Sequence, residues 1–365
     1  MIPREEILRV LEKYDPKKLR MGTIGSHSAL DICDGAIEEG LDTVVVCQRG
    51  REKTYLRYRR IIGEVITLDR FSDMVNRNIQ EELRRLNVVF TANRSFSTYV
   101  GYDSIENSFL VPIFGNRAIL RSEERDAPRN QMYLLEKAGI KYPKRFFSPE
   151  EIDRLVIVKV PEAKRKIERA FFYASDPKDY QTKSEERIKK GVISRQDLEK
   201  ATIEEFVMGA KFNFNYFWSP LEDQVEFLGV DRRIQTDLDG ILSLPARDQL
   251  ELESVVQNIE VGHEGATVRE SILERVYDIG ERFTETCKRE YPPGIIGPFA
   301  LQGAVTKDLE ICIFDVSPRV PGSPIISTTS PYSKWYFGEA MSTGKRIAVE
   351  INKARSTGRL SEVVT

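Results

Sequence analysis

Thr43-Val44-Val45-Val46-Cys47 is an apolar run with no polar alternation, so a strand built from it has to be covered on both faces. That requirement points to a parallel sheet flanked by helices. Met21-Gly22-Thr23-Ile24-Gly25 reads as the preceding strand. Leu30, Ile32, Cys33, Ala36 and Ile37 mark one face of an intervening helix, which Gly40 stops. The β-α-β unit is extended by Val88-Val89-Phe90 and by Val111-Pro112-Ile113-Phe114-Gly115. Residues 1–122 therefore read as a doubly wound α/β subdomain.

A chain of 365 residues leaves room for two further subdomains. Residues 123–200 open with a helical pattern and continue with strands at Leu155–Val160 and Ala170–Ala174 and a polar helical stretch. This is a small α+β lid. From 201 to 365, opening at Ile203–Val207, long antiparallel-looking strands are expected at 211–218, 225–233, 298–305 and 310–317, with helices at 268–290 and 338–354.

Composition removes several function classes. The 55 basic and 57 acidic residues give a net charge of −2, which attracts no nucleic acid globally. No apolar run is long enough for a membrane span, and Met1–Glu6 lacks secretory character, so a cytoplasmic protein is expected. Cys33, Cys47, Cys287 and Cys312 are widely spaced in apolar stretches and read as buried reduced thiols. His27 and His263 are the only histidines, which excludes any site needing three imidazoles.

Four segments could carry chemistry. Lys159 ends an apolar strand, where a lysine either neutralises a phosphate or snorkels to water. Glu204-Glu205 before Phe206-Val207 suits a hinge that reads an adenine edge. Ile311, Ile313, Asp315, Ser317 and Arg319 alternate with apolar residues and are expected on one strand face, with Gln302 on the neighbouring strand. Such a face can hold Mg²⁺ through Asp315 and Gln302 while Arg319 meets a phosphate or carboxylate; a solvated polar face has the same pattern. Gly25-Ser26-His27-Ser28 and Asn93-Arg94-Ser95-Phe96 lie at strand-to-helix junctions that favour an anion. An ordinary Ser26 or Ser28 N-cap with His27 exposed is the competing reading.

Gly25-Ser26-His27-Ser28, Glu106-Asn107-Ser108-Phe109-Leu110-Val111-Pro112, Pro245-Ala246-Arg247-Asp248-Gln249-Leu250-Glu251, Arg269-Glu270-Ser271 and Pro331-Tyr332-Ser333 are long, unusual stretches. With them the chain resembles, over nearly its whole length, the archaeal formate-dependent 5-formaminoimidazole-4-carboxamide ribonucleotide synthetases. The resemblance implies an ATP-grasp fold of mixed α/β and α+β class and an ATP-dependent carbon–nitrogen ligase of purine biosynthesis. ATP and Mg²⁺ (or Mn²⁺) are the implied cofactors. Formate and a phosphoribosyl aminoimidazole carboxamide are the implied substrates, with formyl phosphate between them, and a homo-oligomer is the implied assembly. By position, His27, Ser95 and Asn258 resemble the ribonucleotide contacts. Lys159, Glu205 and Gln235 match the ATP site and Gln302 and Asp315 the metal; Arg319, read from the strand face, and Lys159 are the candidate catalytic cations.

The chain departs from the family pattern at the phosphate end. A glycine-rich loop is replaced by Pro161–Ala170, whose Lys164, Arg165, Lys166 and Arg169 offer side-chain charge in place of backbone donors. Gln235 replaces a glutamate, Asp315 a longer glutamate, and Ser317–Pro324 a glycine-rich turn. The alternative implied by these changes is a paralogue that binds a purine intermediate without ATP turnover, or serves as a structural or regulatory subunit.

Overall fold

The computed structural model describes residues 1–160, 170–251, 259–322 and 326–365. Its strands form three sheets. β1 (Arg20–Ile24), β2 (Asp42–Gln48), β3 (Glu64–Leu68), β4 (Val88–Thr91) and β5 (Ile113–Phe114) run in the order β3-β2-β1-β4-β5. All neighbours are parallel. Val44, Val45, Val46 and Cys47 are fully buried, as an apolar run without alternation demands. The edge strand β3, with only Ile66 and Leu68 buried, carries a weaker signal that the apolar-run criterion passed over. Strand order reverses between β1 and β4, and their carboxyl ends open a crevice at that switch point.

The small sheet contains β6 (Arg145–Phe146), β7 (Val156–Val160), β8 (Ala170–Ala174) and β9 (Thr202–Glu205) in the antiparallel order β6-β9-β7-β8. Val156, Val158 and Val160 enter a core of their own with Phe172 and Ile203, which leaves Ile157 and Lys159 on the other face. Burial of Ile203 in this core places β9 here, whereas the sequence pattern read it as the opening of the last region.

β10 (Ala210–Ser219), β11 (Gln224–Gln235), β12 (Glu260–Ala266), β13 (Gly297–Val305) and β14 (Ile311–Ser317) form the large antiparallel sheet, ordered β12-β11-β10-β13-β14. One face packs Phe214, Tyr216, Phe227, Phe299 and Ile313 against Val276 and Phe283 of helix Leu273–Glu290. The opposite face sends Phe217 and Leu228 into a second core with Ile347 and Ile351, and elsewhere carries the polar residues Asn213, Asn215, Asp231 and Gln302. β14 contains a bulge: Gly303 pairs with Ile313, but Gln302 pairs with Asp315. This corrects the expected alternation. Ile311 and Ile313 join the core with Val316, and the extra residue turns Asp315 to the polar face instead of aligning it with them.

Helix Ala29–Glu38 of the parallel sheet crosses helix Thr343–Ser356 at Gly35 and Gly344. A Cβ on Gly35 would lie 2.0 Å from Lys345 N, and one on Gly344 2.1 Å from Asp31 O. Helix Thr343–Ser356 is fastened in turn to the large sheet. Arg346 donates from Nε (2.6 Å) and Nη2 (2.8 Å) to Glu226 and from Nη1 to Glu350 (2.9 Å), all three residues being buried. Segment Val363–Thr365 closes the assembly by pairing with Ile113 and Gly115 at the edge of β5. All four cysteines are buried and unbridged. Among the described residues no helix is long and apolar enough to cross a membrane.

Gly35→Ala thrusts a methyl group against backbone that cannot yield, and should destabilise by at least the about 1–3 kcal/mol typical of overpacking. Gly240→Ala, in open space on helix Thr236–Leu242, should instead stabilise by about 0.5–1 kcal/mol. Thermal melting of both variants checks the contrast.

Candidate functional site

The register of the large sheet aligns Asp315 with Gln302, Gln302 with Asn213, and Asn213 with Asp231, so one polar row crosses four strands on one face. Asp231 is completely buried, and a buried carboxylate persists only when its lone pairs are taken up. Asn213 Nδ2, Asn215 Nδ2 and His263 Nδ1 each donate to it at 2.7 Å. His263 Nε2 then donates to Glu260 Oε1 at 2.8 Å, and Arg233 Nε lies 2.8 Å from Glu260 Oε2. Burial alone would push the His263 pKa down, but its hydrogen bonds to Asp231 and Glu260 outweigh that and raise it to about 9. Burial works to raise Glu260, and its bonds to His263 and Arg233 overcome this, lowering it to about 2. This end of the row is an imidazolium between two carboxylates.

His27 meets the same cluster from the parallel sheet. It follows β1 with φ of 52°, and the Ser28 hydroxyl donates to Pro321 O at 2.6 Å. Ser28 therefore ties the crevice to the segment after β14. It does not cap helix Ala29–Glu38, whose start has no side-chain cap. A Cβ on Gly322 would lie 2.9 Å from His27 Nε2 and 3.2 Å from His263 Nε2, so the chain threads between the imidazoles and a side chain there would push one of them aside. His27 is open to solvent within this crowded cleft. Desolvation and the cations Arg319, His263 and Arg233 hold its pKa well below the ordinary range, against the pull of Glu260. A neutral imidazole stands among cations. Asn93 joins the adjacent strand end, donating from Nδ2 to Ile24 O (3.2 Å) and Ser26 O (3.0 Å), while Ser95 is buried in the helix that Asn93 caps.

At the other end of the row, Lys159 pairs with the buried Glu204, which also meets Arg125 Nη1 at 3.6 Å. Desolvation lowers the Lys159 pKa; Glu204 and Asp315 oppose it, so the small-sheet lysine feels the β14 carboxylate. Arg319 Nη2 donates to Glu123 Oε1 (2.8 Å), and Arg94 Nη1 lies 3.3 Å from the same carboxyl group. Beside them opens a cavity of about 530 Å³ lined by Arg94, Tyr102, Arg121 and Glu123. Glu205 points away from Lys159, accepting from Lys144 N (3.2 Å) and pairing with Arg154 (3.4 Å). Gln235 ends β11 opposite Glu260 and donates its N–H to Asp239 (2.6 Å). Asn258 and Pro161–Arg169 lie outside the described residues.

Gln302 and Asp315 offer one amide and one carboxylate oxygen on the same face, with Lys159 within electrostatic reach. Among the described residues no cluster of three or more acids, histidines or cysteines could cage a metal ion. The pair fits Mg²⁺, which takes one or two carboxylates and completes its octahedron with water and substrate phosphates.

Sequence reasoning took Glu204 only as part of a hinge and gave no site role to Glu123, Asp231, Arg233, Glu260 or His263. Asp231-Arg232-Arg233 carried one available signal, since an acid two residues before an arginine on a strand shares its face. Glu123 and Arg125 gave none, because their partners lie far away in the chain.

With only two histidines, the imidazole NMR spectrum is unambiguous. His263 should be protonated at pH 7 and titrate near pH 9, while His27 stays neutral below pH 6.5. Because the His263 pKa is raised, the stability it lends is fully present below pH 6.5 and lost as pH rises through about 9.

Two family models match the chain, Domain of unknown function (DUF1297) over residues 179–365 and Protein of unknown function (DUF1246) over residues 21–146. It is 46% identical to the 5-formaminoimidazole-4-carboxamide-1-(beta)-D-ribofuranosyl 5'-monophosphate synthetase of Methanopyrus kandleri, covering 100% of both chains. Identity to the protein of the same name from Methanocaldococcus jannaschii is 40%, again covering 100% of both. The crystal structure of an IMP biosynthesis protein PurP from Thermococcus kodakaraensis aligns with a TM-score of 0.73 at 29% identity, covering 94% of this chain and 100% of that one. Phosphoribosylglycinamide synthetase from Anaerococcus prevotii shares the fold at a TM-score of 0.57 and 15% identity, covering 92% of this chain and 75% of that one. Matched end to end by these relatives, the chain belongs to the 5-formaminoimidazole-4-carboxamide ribonucleotide synthetase family and has its ATP-grasp fold.

Proposed function

We propose that this protein is an ATP-dependent ligase that joins formate to the 5-amino group of 5-aminoimidazole-4-carboxamide ribonucleotide. The observation that carries the reading is the polar row. It runs from Lys159 and the Gln302–Asp315 pair to the His27–His263 crevice, and so spans the distance between a nucleotide and an acceptor. In this reading the parallel sheet, within residues 1–122, takes the ribonucleotide. The small and large sheets, within 123–200 and 201–365, clasp ATP.

A formate oxygen attacks the γ-phosphorus of ATP, the bond to ADP breaks, and formyl phosphate results. The ribonucleotide amine then attacks the formyl carbon, phosphate leaves, and the nitrogen gives up a proton. Lys159, oriented by Glu204, and Arg319, braced by Glu123, neutralise charge on the transferring phosphoryl group. Gln302 and Asp315 would hold Mg²⁺, which when bound screens the phosphate charges. His27 remains neutral and hydrogen-bonds the acceptor without adding charge, while Ser95 and Asn258 complete the ribonucleotide side. Glu205 and Gln235 are assigned to the nucleotide. Exposed Trp335 and Tyr336 offer apolar surface for a homo-oligomer, which sedimentation at micromolar concentration checks.

ADP release should require formate and the ribonucleotide together. Lys159→Ala should lower that rate by about 10²-fold, the loss typical of one preorganised charge contact. Ribonucleotide binding in calorimetry without ADP release under any substrate pair would instead identify a binding paralogue, and the ligase reading would fall.

A further inference from the structure

Glu260 sits where an anionic ligand would be held. Its Oε1 accepts from His263 Nε2 at 2.8 Å, and its Oε2 lies 2.8 Å from Arg233 Nε. The second contact is ionic only. Arg233 Nε is buried, and among the described residues its N–H meets no acceptor in hydrogen-bonding alignment. Arg319 Nε is in the same condition. Buried donors left unpaired cost free energy, so each is a place where a better acceptor is favoured. Arg233, His263, Arg319 and Glu260 all act electrostatically on His27, which places them around one cleft.

The two carboxylates that hold His263 are not equivalent. Asp231 is fully buried and anchored by two asparagines on the central strand β10. Glu260 is the first residue of β12, an edge strand paired only with β11, and its side chain is 31% exposed. It can therefore swing into water while Asp231 stays. With Asp231 still on Nδ1, His263 keeps its proton and its orientation, and Nε2–H is left pointing at the vacated position. A phosphate dianion, with three acceptor oxygens, outbids a single carboxylate for two cations.

We infer that Arg233 and His263 form a phosphate-monoester site beside His27, and that Glu260 is its built-in occupant, displaced when the phosphate of the ribonucleotide arrives. The inference rests on the ribonucleotide reading above for the identity of the ligand. Its cost is a reduced apparent affinity, since the site is competent only in the fraction of molecules in which Glu260 has left. In return, the empty cleft never exposes two unpaired cations.

The test is calorimetric titration of 5-aminoimidazole-4-carboxamide ribonucleotide, its phosphate-free riboside and ribose 5-phosphate into the full chain and its variants. Glu260→Gln and Glu260→Ala should bind both phosphate esters about fivefold more tightly than the unmodified protein, with riboside affinity unchanged. His263→Asn and Arg233→Met should weaken the esters by about tenfold or more and leave the riboside unaffected. Phosphate-ester affinity that is equal or weaker in both Glu260 variants overturns the proposal, as does an equal gain for the riboside. Formate-dependent ADP release from the unmodified protein separates the two claims. Release without tighter binding in the Glu260 variants sinks the site and leaves the ligase; tighter ribose 5-phosphate binding without release sinks the ligase and leaves the site.

Discussion

The crossing of helices Ala29–Glu38 and Thr343–Ser356 is the contact on which the rest of the architecture depends. Gly35 and Gly344 allow the two backbones to touch, so the parallel sheet and the large antiparallel sheet are set at one separation and one angle. Gly344 N donates to Asp31 at 3.0 Å, and burial raises that carboxyl to about 7 against this bond and one from Ser342. On the far side of the same helix, Arg346 grips Glu226 of the large sheet and Glu350 one turn along its own helix. His27, at the start of Ala29–Glu38, is thereby delivered to within a glycine's width of His263 on β12.

Asp231 performs the complementary task within the large sheet. A buried charge on an interior strand is tolerable only with every oxygen engaged, and the two asparagines and the histidine that engage it are locked by the same requirement. The row is stiff for that reason. Stiffness at Asp231 and freedom at Glu260 are two consequences of where each acid lies, one on an interior strand and one on the edge strand.

Much of the fold was legible because burial patterns are local. The uninterrupted Thr43–Cys47 run requires two covered faces, and the Val156–Val160 alternation one. Lys159 could be singled out because an apolar strand seldom carries a lysine. Its partner could not be chosen between Glu204 and Glu205, since only the register against β7 decides which acid shares its face. The Arg319–Glu123 pair and the approach of His263 to His27 join residues far apart in the chain, and nothing local distinguishes their members from ordinary surface charges. Family motifs point to single residues and carry no sign of these partnerships.

The bulge in β14 shows how unevenly such a sheet tolerates change. A substitution at Asp315 alters one side chain, but gain of a single residue between Ile313 and Asp315, beyond the one the bulge already absorbs, would rotate the rest of the strand by half a turn. Asp315 would then press into the aromatic core and Val316 would enter the cleft. In a lineage under drift, the edge strand can exchange residues freely while its length stays frozen. Insertions and deletions between Ile311 and Arg319, more than any replacement there, would record the point at which a descendant gave up the chemistry of this face.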